Sequence, residues 1–213
     1  MGDHGELAPL EALRTAYRGL TAVVTAVSDE DWARPTRCAG WSVGDLVFHV
    51  LADARRALVA LATPATGPAD RSFVTYWRDY PSGPRDERQT AATRAAARAL
   101  GRPALRELWT TTAPAAVRAA AAAPPDGHVA TQGHVLAVPD FLLTLATEAA
   151  VHHLDLGIGI PGPAALAAAV ATVDGLAGGR RDTGRDEVSY LLKATGRLDL
   201  TAAERAAGLP VFG

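Results

Sequence analysis

Apolar residues return every third or fourth position along this chain, and that period constrains its fold more than any other feature. From about Leu7 to Val27, the residues Leu10, Leu13, Tyr17, Leu20 and Val24 fall on one helical face. A second helix is expected from Ser42 to about Leu61, with Val43, Leu46, Val47, Val50, Leu51 and Leu58 on its apolar side. Its start, Ser42-Val43-Gly44-Asp45, has the form of a capping box with Asp45 in place of the usual Glu or Gln. A third helical region runs roughly from Asp86 to Ala122, with interruptions expected near Pro103 and at Pro114. A fourth begins at Pro139-Asp140 and continues to about Leu156, where Gly157, Gly159 and Pro161 end it. Two further helices are expected near Pro163–Leu176 and Asp186–Ala194, separated by a Gly/Arg-rich turn. His128–Thr131 and His134–Ala137, joined by Gln132-Gly133, can form a small hairpin. Alanine fills roughly one position in five and aromatics only 6%, which favours helix over a β-rich core. The expected fold is all-α: a helical bundle over residues 1–160, with a short helical C-terminal extension, 161–213, packed on it.

Composition excludes several classes of function. The formal net charge is −2 over 213 residues, so no basic field exists to grip nucleic acid. No apolar run approaches the roughly 20 residues that cross a bilayer. The start, Met1 to Glu6, lacks the charged-then-apolar pattern of a signal peptide. Cys38 is the single cysteine, so an internal disulfide is impossible. The chain reads as a cytoplasmic protein that binds neither nucleic acid nor membrane. Its basic residues are almost all arginine, and with the alanine content this reads as GC-rich coding. The sequence leaves the oligomeric state open, a homodimer included.

The residues with most chemical potential lie on the second and fourth helices. Glu148 and His152 are four apart and share one face beside the apolar stripe. Buried there, a carboxylate and an imidazole must pair with each other or bind a metal. His49 sits among apolar residues on the second helix. A bundle can bring such helices face to face and build a metal site from their side chains. Two histidines and a glutamate make three protein ligands with a fourth position open, the pattern of a catalytic zinc site. Asp45 and Asp53, one turn either side of His49, are candidates to orient its ring. Asp45 is equally explained as a cap, and Asp53 as a surface residue. His153 points about 100° away from His152 and is left out of the ligand set. Asp155 is expected to cap or pair near the helix end. Cys38 precedes a helix start and is read as a packing residue rather than a nucleophile. The long segment from Thr63 to Arg85 carries Arg71, Phe73, Tyr76, Trp77, Arg78 and Tyr80, and segments this long often form lids or binding walls. Tyr76, Trp77 and Arg78 are candidates to line a substrate pocket, with plain solvation the competing explanation for the arginines.

Two motifs carry a family resemblance. Cys38-Ala39-Gly40-Trp41-Ser42-Val43-Gly44-Asp45-Leu46-Val47-Phe48-His49 and Glu148-Ala149-Ala150-Val151-His152-His153-Leu154-Asp155 resemble the paired signatures of the mycothiol-dependent maleylpyruvate isomerase N-terminal domain family. This is a group of DinB-like metal-binding four-helix bundles. The tail, from Leu191 to Thr201, is similar to the ends of short actinobacterial members. The resemblance covers most of the chain and is weakest between Thr63 and Ala137. It implies that His49, Glu148 and His152 hold a divalent metal, zinc first, with nickel, iron and manganese as alternatives. It also implies mycothiol as co-substrate. Full-length isomerases of the family carry a further α/β domain, whereas the residues after the second motif read here as helices. Members lacking that domain are more similar to thiol S-transferases or enzymes of specialised metabolism.

The expected function is therefore metal-dependent activation of a low-molecular-weight thiol, for transfer to a small electrophile or for isomerising one. A metal-dependent hydrolase and a non-catalytic binding module are the alternatives. The hydrolase would need a general base, for which only Asp45 or His153 is at hand.

Overall fold

Ser42 begins the helix that matters most for the site. Its hydroxyl accepts from the Asp45 backbone N–H, and the Asp45 carboxylate accepts from the Ser42 N–H, so two orphan donors of the first turn are satisfied. In the computed structural model, which describes residues 7–79, 84–179 and 186–211, this helix is the second of a bundle. α1 spans Pro9–Ala26, α2 Val43–Ala62, α3 Pro84–Ala122 and α4 Val138–Leu156. The expected readings that fall on Met1–Glu6, on Tyr80, and on the Arg-rich part of the turn after α5 lie outside the described residues.

α1 packs along α3 and α4, and α2 closes the square against the same two helices. Leu13, Leu20, Val24, Leu46, Leu51, Trp109, Phe141 and Leu145 fill the centre with almost no exposure. Apolar burial of this kind contributes about 25 cal/mol per Å² removed from water. Trp109 is anchored as well as buried: its indole N–H donates to the Thr21 hydroxyl at 3.0 Å, and it meets Tyr17 edge-on at 5.4 Å. No helix among the described residues is long and apolar enough to cross a membrane.

α3 breaks near Pro103, as expected, but not at the proline itself. The break falls at Gly101, where φ is 72° and ψ 167°, a conformation that glycine adopts without a Cβ penalty. Pro103 then stands in the first turn of the second segment, where its missing N–H costs nothing. Pro114 does not interrupt the helix at all.

The hairpin forms as expected, β1 (His128–Thr131) against β2 (His134–Ala137), antiparallel. Gln132 and Gly133 have φ of 50° and 84°, the paired positive values of a tight primed turn. The segment after α2 is pinned along this hairpin. The Ala65 N–H donates to the His128 carbonyl at 2.8 Å, and the Val135 N–H donates to Asp70 Oδ1 at 3.0 Å. It then enters a short 3₁₀ turn, Thr75–Asp79.

Beyond α4, Gly157 ends the helix in the left-handed region. α5 (Pro163–Leu176) lies against α1 and α4, and α6 (Glu187–Ala194) lies against α5 and α4. A short α7, Ala202–Ala206, was not expected. A capping box between Thr201 and Glu204 starts it, and the Glu204 carboxylate also takes the buried Lys193 ammonium at 2.5 Å.

Candidate metal centre

Two helices bring the candidate ligands together. Glu148 Oε1 lies 2.9 Å from His49 Nε2 and 3.3 Å from His152 Nε2. All three ligand atoms are within 4.8 Å of one another. Donors about 2.0–2.2 Å from a tetrahedral zinc stand about 3.3–3.6 Å apart, so this donor set suits a single divalent ion with little adjustment. The imidazole rings meet edge-on at 4.7 Å, and Trp41 stands edge-on to His49 at 5.3 Å. The helical period places Glu148 and His152 on one face of α4, and the opposing α2 supplies His49.

Electrostatics follow from this crowding. Burial alone would push the Glu148 carboxyl up, but the two histidines beside it hold it well below the usual range. Burial likewise opposes a charge on His152, yet Glu148, Asp155 and Cys38 together raise its basicity well above the usual value. Asp155 is held at about 2: burial works against ionisation, and His152 and Arg197 overcome it.

Around the three candidate ligands lies a set of neighbouring polar groups. The His152 Nδ1–H donates to Asp155 Oδ2 at 3.0 Å, which leaves Nε2 directed at Glu148. The Cys38 thiol donates to the same Asp155 oxygen at 3.1 Å and lies 3.9 Å from His152 Nδ1. Cys38, expected as a packing residue, is thus engaged in polar contacts beside His152; that proximity spans 114 positions and left no signal in the sequence. Asp53 Oδ2 is 3.8 Å from His49 Nε2. That oxygen is buried without a hydrogen-bond partner, and it shares a crevice with Tyr17 and Glu148. Asp53 is therefore an inward group rather than a surface one. Its other oxygen accepts from Arg56 at 3.0 Å. Asp45 plays the capping part: its carboxylate takes both the Ser42 N–H and the Ser42 hydroxyl, with no hydrogen bond to His49. His153 turns away, its Nε2–H donating to the Ile158 carbonyl at 3.0 Å.

The aromatic segment divides. Tyr76 and Trp77 are buried and stacked edge-on at 5.2 Å, whereas Arg78 is exposed. The Tyr76 hydroxyl donates to Gln132 Oε1 at 2.8 Å and lies 3.5 Å from Arg56, so it joins the polar chain that runs through Asp53 toward His49. Burial pushes its pKa up to about 12. Arg71 is half-buried and bonds the Asp70 carbonyl. Sequence reasoning missed Arg56, Tyr17 and Arg197. The helical period places Arg56 three residues after Asp53, which was the available clue.

A helical bundle with a two-histidine, one-carboxylate cluster between facing helices defines a class of candidate metalloproteins. Residues 13–157 match the family model described as the mycothiol maleylpyruvate isomerase N-terminal domain, and the chain belongs to that family. Among solved structures it is similar to the crystal structure of the mycothiol-dependent maleylpyruvate isomerase. Identity is 17% and the TM-score 0.59, covering 82% of this chain and 72% of that one. A histidine-to-alanine variant of that enzyme superposes alike, at 18% identity and a TM-score of 0.58. These likenesses establish the DinB-like fold. No curated protein matches the chain by sequence.

Proposed function

We propose that His49, Glu148 and His152 hold a divalent metal, zinc first, and that the protein uses it to present a low-molecular-weight thiol to a small electrophile. One observation carries this reading: Glu148 Oε1 sits between two imidazole Nε2 atoms at 2.9 and 3.3 Å. When bound, such an ion would lower the pKa of a coordinated thiol and leave it as the reactive thiolate.

The rest is the work of the chain's own groups. Glu148 supplies the anionic donor, and its low pKa keeps it charged. Asp155 fixes the ring of His152. Trp41 packs against His49 and limits its rotation. Cys38 is engaged with Asp155, so the reacting thiol comes from outside. The family relative acts with mycothiol, and mycothiol is the thiol proposed here. Tyr76 and Trp77 are proposed to shape the electrophile side of the site, and Arg78 is not, because it faces solvent. In this reading residues 1–160 house the chemistry, and residues 161–213 brace it.

The test is thiol consumption with mycothiol and a panel of small electrophiles, maleylpyruvate among them. Turnover that needs both thiol and metal, and is lost in His49→Ala and Glu148→Ala, supports the proposal. Thiol-independent turnover would favour a hydrolase, and ligand binding without turnover a binding module.

A further inference from the structure

Asp155 is a fully buried carboxylate, and a buried charge is stable only when fully engaged. Its partners come from three parts of the chain. His152 and Cys38 both donate to Oδ2, at 3.0 and 3.1 Å. Arg197, from the tail, closes the set as a fork: Nε to Oδ1 at 3.2 Å and Nη2 to Oδ2 at 3.3 Å.

The base of that arginine is itself rigid. Gly196 adopts φ of 73° just past α6, and the Arg197 N–H returns to the Leu192 carbonyl at 2.7 Å. Together these are the left-handed turn and six-to-one bond that close a helix C-terminus. α6 is held in turn by Tyr190, whose hydroxyl donates to Asp174 at 2.6 Å, and by the Lys193–Glu204 pair. Arg197 also donates to the Thr195 carbonyl at 2.5 Å, which fixes the guanidinium from its far side.

We infer that Arg197 is a positioning residue for the candidate metal centre, acting through Asp155 on His152. A carboxylate gripped at both oxygens cannot turn about its terminal bond. Its Oδ2 therefore stays in line with His152 Nδ1, and His152 Nε2 stays aimed at the point it shares with His49 and Glu148. Outer partners of metal-ligating histidines typically govern affinity by about 10–100-fold. This inference rests on the metal reading above. It adds that the tail, which lies beyond the family-matched residues 13–157, helps to build the site. The competing explanation is that the Arg197–Asp155 pair merely staples the tail to the bundle.

Zinc affinity, measured by competition with a chromophoric chelator, separates these explanations when paired with thermal melts of the metal-free proteins. Arg197→Met should weaken zinc binding by about 10–100-fold. Arg197→Lys, which keeps the charge but loses the fork, should fall between it and the unmodified protein, and it serves if Arg197→Met does not fold. In an Asp155→Ala background, which removes the acceptor between them, Arg197→Met should weaken zinc binding no further, because its route to His152 is already cut. The inference is overturned if a folded Arg197 variant binds zinc within about twofold of the unmodified protein, well short of the usual outer-partner effect. It is equally overturned if the two substitutions weaken binding additively. If the unmodified protein takes up no zinc, the metal reading itself falls, and this inference with it.

Discussion

His49 and Glu148, 99 residues apart in the chain, meet at 2.9 Å between α2 and α4. That contact joins the two motifs into one site. Glu148→Gln keeps the shape of the side chain and removes its charge. Zinc affinity should fall by more than about 100-fold, beyond the range seen for outer partners, while the metal-free protein keeps its helical circular dichroism. Competition with a chromophoric chelator measures it, and near-normal affinity would remove Glu148 from the ligand set.

Asp45 offers a cleaner distinction between capping and metal support. Its carboxylate is bound to Ser42 on two sides. Asp45→Ala should therefore cost about 1 kcal/mol of stability, as other helix N-terminal caps do. For a chain of this size that is a fall of about 2–4 °C in Tm. Zinc affinity should stay within about twofold; a loss of tenfold, the size typical of an outer metal partner, would restore Asp45 as a support for His49.

Gly44 lies in the first turn of α2, where a Cβ would come 2.5 Å from Trp32 Nε1. Helix propensity favours alanine over glycine by up to about 1 kcal/mol. Overpacking of this kind costs about 1–3 kcal/mol, so the clash should win. Chemical denaturation of Gly44→Ala should show net destabilisation, and Trp32 fluorescence should shift as the indole is displaced. A stabilised variant would mean that the Trp32 packing is not as described.

The tail should respond to acid through Glu204. Its pKa is lowered from 4.5 to about 2, chiefly by the hydrogen bond from Lys193 and then by the Thr201 N–H. A carboxyl depressed in the folded state stabilises it fully above the unfolded value, and that support is lost as pH falls from about 4.5 toward 2. Glu204→Gln should therefore be less stable than the unmodified protein at neutral pH. The gap should narrow across that acid window, followed by denaturation at a series of pH values. A gap independent of pH would show that Glu204 stabilises the tail by packing alone.

Much of the bundle was legible because periodicity and capping are local. α5 and the hairpin strands fall where their glycines, prolines and alternation place them. The clustering of His49, Glu148 and His152 was partly legible too: Glu148 and His152 share a helical face, and the paired motifs tie His49 to them. The Thr201-Ala202-Ala203-Glu204 box was an available sign of α7 that went unread. The α3 break falls near Pro103 as expected, but Gly101 makes it with its positive φ, Pro103 being tolerated in the first turn that follows, and Pro114 makes none. What no local pattern carries is contact across the fold. Cys38, Asp155 and Arg197 meet only because loop, α4 and tail converge. Asp53 became an inward group only once Tyr17 and Glu148 closed around it.

The central claim is a metal held by His49, Glu148 and His152 with a coordination position open to a thiol. Cobalt(II) substitution followed by titration with mycothiol tests it most directly. One cobalt per chain should bind, and added thiol should produce a thiolate-to-cobalt charge-transfer absorption that saturates at one thiol per metal and is absent in His49→Ala. Cobalt uptake with no spectral response to thiol, or an unchanged response in His49→Ala, would contradict the account.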